Sequence, residues 1–136
     1  MSIKYFEASE IRQQVTEIAE ALDFFHVVPQ FLWCFRSKGS KADRTIARIH
    51  GLGKIWQEAL NTPPSYVIEV ISERYDRLNK EEQEKVLIHE LLHIPHGFAG
   101  GFRPHKGYID RKTVERLYRT LQEQRRNKAQ SESDRV

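Results

Sequence analysis

Residues 86–95 read Val-Leu-Ile-His-Glu-Leu-Leu-His-Ile-Pro. Within them His89, Glu90 and His93 form the pattern His-Glu-x-x-His. Asn79 stands where it can cap a helix, Glu82 follows at the third position of a capping box, and Pro95 stops the helix. Side chains four apart share one face of a helix, so His89 and His93 can point two imidazoles at one ion. Glu90 projects beside that ion without having to ligate it. From Val86 to Leu92 everything except His89 and Glu90 is apolar, the pattern of a buried helix. Two imidazoles and a carboxylate are costly to bury unless a metal or hydrogen bonds satisfy them. Zinc peptidases use such a pair of nitrogen ligands together with a carboxylate that works on metal-activated water.

The chain has 136 residues, 39% of them hydrophobic and 30% charged. That suits one globular domain with one core, and excludes a disordered or disulfide-framed chain. We expect the domain to span residues 1–128 and a polar tail to follow over 129–136. The net charge of +3 is compatible with nucleic acid or acidic partners and requires neither. The single cysteine, Cys34, sits in the apolar run Phe31–Phe35 and reads as a core residue of a protein in a reducing interior. No stretch approaches the length of a membrane span, and no apolar leader opens the chain. The expectation is a cytoplasmic protein with no membrane partner.

Upstream of the helix, Ile11, Val15, Ile18 and Leu22 recur at helical spacing and predict a helix over 9–24. Phe31 to Arg36 reads as a buried strand. Arg44 to His50 reads as a second strand that bends at Gly51–Gly53 and resumes over Lys54–Trp56. Tyr66 to Ile71 reads as a third, with Glu69 either facing solvent, the favoured reading, or supporting a histidine. His50 reads as structural or exposed. Downstream, residues 97–101 are glycine-rich and form a loop that is a candidate flap. Asp110 can cap a last helix over 108–128. Helices flanking a run of about three strands indicate an α+β fold with an antiparallel or mixed sheet, and hairpin-length connections favour mainly antiparallel pairing.

A catalytic zinc site takes three protein ligands and leaves one position open. The first candidate for the third is His105, twelve residues past His93. His96 and Glu115, the latter on the last helix, are the alternatives. A donor for the developing oxyanion is also needed, and Arg103, Tyr108, Tyr75 and His96 are near enough in sequence. Two rival functions stand beside the peptidase. One is a non-catalytic binding module stabilised by a metal that His96 closes off. The other is nucleic-acid association through the basic last helix, with Arg111, Lys112, Arg116, Arg119, Arg125, Arg126 and Lys128.

The run His-Glu-Leu-Leu-His-Ile-Pro, followed by Gly-Phe-x-Gly-Gly-x-Arg-Pro-His, resembles a small metallopeptidase domain found in phage and archaeal proteins. Residues 44–57 and 66–73 are also similar to it, so the resemblance covers most of residues 28–110. In layout it is similar to the SprT-like zinc peptidases. Two departures from the latter stand out. Lys106 separates His105 from Gly107, and the sequence holds no cysteine-rich zinc ribbon. The resemblance implies a minimal zincin fold with an N-terminal helix, a buried helix bearing the motif, the glycine-rich loop and a C-terminal helix. It further implies one zinc ion per chain held by His89, His93 and His105, with Glu90 catalytic. The activity it implies is that of an endopeptidase acting on peptide or protein substrates.

Overall fold

The computed structural model describes residues 2–95, 97–102 and 109–134. Strand β1 (Lys4–Glu7) leads into helix α1 (Ser9–Ala21). A 3-10 turn over Pro29–Phe31 opens strand β2 (Leu32–Lys38). Strand β3 (Ala47–Gly51), helix α2 (Lys54–Leu60), strand β4 (Tyr66–Ile71) and the short helix α3 (Ser72–Tyr75) follow. Helices α4 (Lys80–Leu92) and α5 (Arg111–Ser133) complete the order. The fold is α+β.

The sheet has four strands in the order β1-β2-β4-β3. It is mixed, with two of its three strand pairs antiparallel. The central pair, β2 and β4, runs parallel, with Leu32 opposite Tyr66 and Ser37 opposite Ile71. The β1–β2 and β3–β4 pairs are antiparallel. The sequence reading of about three hairpin-linked strands fails at two points. The segment between β2 and β3 spans the gap that β4 later fills, so neighbours in sequence are not neighbours in the sheet. Strand β1 is exposed along its whole length, so it shows no alternation from which to read it.

Two elements also differ in kind or extent. Lys54–Leu60 is a helix and not a resumed strand, and it buries none of its residues. Its Ile55 and Trp56 look like strand residues only because they are apolar. Helix α1 ends at Ala21, because Asp23 turns into the left-handed region (φ 55°). Helix α5 runs to Ser133, into the segment expected to be a polar tail. Ala129, Gln130 and Glu132 are good helix formers and need no core to continue it.

One face of the sheet carries the core. Leu32 and Cys34 of β2 and Tyr66, Ile68 and Val70 of β4 are buried there with Ile11, Val15 and Ile18 of α1 and Leu87, Ile88 and Leu91 of α4. Along β4 the alternate residues Val67, Glu69 and Ile71 face the other side. Glu69 was expected in solvent, but it is only 2% exposed. It lies on a central strand between Phe35 and Arg48 in register. His50 Nε2 donates to Glu69 Oε1 at 2.8 Å, and Arg48 Nε lies 3.3 Å from the same oxygen. Burial pushes this carboxyl up, but the Ser37 hydroxyl, the His50 ring and the Arg48 guanidinium outweigh it and hold the group below its ordinary value.

Candidate metal centre

Helix α4 positions the motif. Asn79 caps it, its side chain accepting from the Glu82 N–H at 2.9 Å. Glu81 and Glu82 sit in the first turn, where the helix dipole favours them. Leu87, Ile88 and Leu91 are fully buried and lock the opposite side of the helix into the core. His89 and His93 therefore emerge at a fixed angle. His93 is the C-cap residue and still has helical backbone angles (φ −69°, ψ −19°), so the four-residue spacing is kept.

The His89 and His93 ring centres are 5.2 Å apart, with the planes inclined at 64°. Imidazole nitrogens about 2.0 Å from one tetrahedral zinc ion would put the two ring centres about 5 Å apart. The pair thus fits a shared ion. Glu90, between them in sequence, is 6% exposed. Burial alone pushes its carboxyl up to about 7.

His89 and Glu90 line a cavity of about 550 Å³. Ile46 and Ala47, at the start of β3, form one wall. Val86 belongs to α4, and Ile109 and Val114 close the side toward α5. Lys85, one turn before His89, bridges Glu81 and Glu115 at 2.9 Å each. Glu115, an alternative third ligand, thus lines the cavity of His89 and Glu90 but spends its carboxylate on Lys85. That hydrogen bond is the main reason its carboxyl is held low. Among the described residues no group of three or more histidine, cysteine or acidic side chains could hold a metal. His105, His96, Arg103 and Tyr108 lie outside the described residues. Tyr75 is not a wall of the cavity. It is buried in the core with the Arg36 guanidinium over its ring. His50, read as structural or exposed, has an exposed ring and is a partner of Glu69.

A family model described as "Putative phage metallopeptidase" matches residues 3–126. The chain belongs to this family. No curated protein and no solved structure matches it.

In this member of the phage metallopeptidase family the loop after the motif is tied down. The Tyr66 hydroxyl accepts from the Gly100 N–H and donates to the Gly101 carbonyl, both at 2.8 Å. The Gln57 amide donates to the Leu52 carbonyl at 2.8 Å and to the Ala99 carbonyl at 3.2 Å. Gly51 and Gly100 pass so close that a Cβ on Gly51 would lie 2.5 Å from the Gly100 carbonyl oxygen. Gly100 also takes a φ of 101°, open mainly to glycine. The ends of β3 and β4 thus fix the loop that leads toward His105. Sequence reasoning missed these anchors because Gln57 was read as following a strand. It also missed Lys85, although its place four residues before His89 put it on the same helical face.

Proposed function

We propose that the protein is a zinc-dependent endopeptidase that cleaves an extended peptide laid along β3, with Glu90 moving the proton. The observation that carries the reading is the pairing of two imidazoles at the spacing of a shared ion with a buried carboxylate on the wall of an open cavity. His89, His93 and His105 are the proposed ligands. A bound zinc ion supplies Lewis acidity to the attacking water and to the peptide carbonyl. Glu90 takes a proton from the water and delivers it to the leaving amine. Its dry surroundings suit this role, because a carboxyl pushed up by burial holds a proton more readily than one in water. Strand β3 ends the sheet, so among the described residues its outer backbone edge has no partner strand. Ile46 and Ala47 place that edge beside the cavity, where a substrate strand can pair with it.

The test is hydrolysis of an unstructured protein such as casein by the zinc-loaded protein. Glu90→Gln should lower the rate by about 100-fold or more while zinc stays bound, and chelation should abolish it. Equal non-zero rates for wild type and Glu90→Gln would remove Glu90 from the chemistry, and no hydrolysis by zinc-loaded wild type would overturn the reading in favour of a metal-stabilised module without turnover.

A further inference from the structure

The cavity beside His89 has a neighbour on α5. A second depression of about 650 Å³ runs over the first turns of that helix, and Asp110, Arg111 and Glu115 line both. The wall of this depression carries four cations, Arg111, Lys112, Arg116 and Arg119, against two carboxylates. The four cations are exposed, and no ion pair among the described residues uses them. Both carboxylates have other work. Asp110 accepts from the Thr113 N–H to cap the helix, and Glu115 takes Lys85.

The cations attract Asp110 and Glu115 along the helix, but they outnumber these carboxylates four to two. Lys112, Arg116 and Arg119 lie at spacings of four and three on one face, where like charges repel. The first turn of α5 has no acidic residue, whereas α4 has Glu81 and Glu82 there. Cations in a first turn oppose the helix dipole. An excess of exposed cations beside a cleft is suited to an anionic ligand that enters the same cleft. Arginine adds a planar fork that matches a carboxylate.

We propose that the substrate is a peptide with a run of acidic residues on one side of the scissile bond, and that Arg111, Lys112, Arg116 and Arg119 bind that run. The inference rests on the peptidase reading above. It commits to a peptide rather than a nucleic acid because the basic depression adjoins the cleft and shares Asp110, Arg111 and Glu115 with it. The dimensions agree. From Arg111 to Arg119 the helix rises about 12 Å, the length of about four residues of extended peptide.

The experiment uses zinc-loaded Glu90→Gln protein and fluorescent peptides that share one core. Their flanks are short runs of glutamate, of lysine, or of glycine and serine. Anisotropy at low and at high salt reads the binding, and wild-type protein is assayed for cleavage of the same set. We expect the glutamate peptide to bind about tenfold more tightly than the neutral one, with the advantage shrinking in salt. The double variant Arg116→Glu/Arg119→Glu, checked for folding by circular dichroism, should lose that preference. Arg126→Glu, an exposed cation on the same helix outside the depression, should keep it. Equal binding of acidic and neutral peptides, or cleavage of all three at one rate, overturns this inference alone. A DNA oligonucleotide that binds more tightly than the glutamate peptide also overturns it, and assigns the surface to nucleic acid. Cleavage of none of the peptides by wild type removes the peptidase reading instead.

Discussion

Glu90 differs from the other carboxylates of α4 in its surroundings. Glu81 and Glu82 are exposed, and Glu84 is buried against Arg125. Glu90 is buried beside His89 with no ion pair among the described residues to offset its charge. Two other titratable side chains are shifted by burial in a way that is simpler to test. Burial pushes the Cys34 thiol and the Tyr75 phenol each up to about 12. In the unfolded chain they ionise at about 8.5 and about 10. Both are neutral in the fold, so the unfolded state gains their ionisation first. Their contribution to stability is complete below about pH 8.5 and is lost as pH rises toward about 12. The urea midpoint should therefore fall across that alkaline window, and Cys34→Ala with Tyr75→Phe should flatten the fall. An unchanged slope in the double variant would show that other groups drive it.

Besides Lys85–Glu115, the contact between α4 and α5 holds a buried carboxylate. Glu84 is 2% exposed, and the Arg125 Nη1 donates to its Oε1 at 3.0 Å. Arg125→Ala leaves that carboxylate buried without its cation. The cost should be about 2–3 kcal/mol, below the figure for a fully buried pair because water reaches the guanidinium. Replacing both residues by leucine should cost much less, since no charge is then stranded. Denaturant unfolding measures both, and a double variant as unstable as the single would refute the account. Arg125 is thus removed from the basic surface to which the sequence assigned it. Elements whose stability is local were readable in advance. Helix α4 has a cap, a buried apolar side and a proline after it, and β4 is rich in β-branched residues, with Val67, Ile68, Val70 and Ile71. The His89–Glu90–His93 pattern is local in the same sense. What could not be read depends on partners distant in sequence. The parallel β2–β4 pairing, the burial of Glu69 and the cavity walls from β3 and α5 all arise when segments meet. Strand β1 is held by backbone pairing, which leaves no side-chain pattern.

The helices that build the core pack on one face of the sheet, and the cleft lies between the edge strand β3 and the helices α4 and α5. This arrangement sets the motif beside an open backbone edge and a basic exit. Among the described residues no helix is long and apolar enough to cross a membrane. The proposed chemistry requires an ion shared by His89 and His93. Elemental mass spectrometry of purified protein, beside His93→Ala and His105→Ala, measures it directly. We expect about one zinc ion per wild-type chain, as in catalytic sites with three protein ligands, and loss of the metal in both variants. Wild-type protein that takes up no metal after zinc is supplied would contradict the central claim.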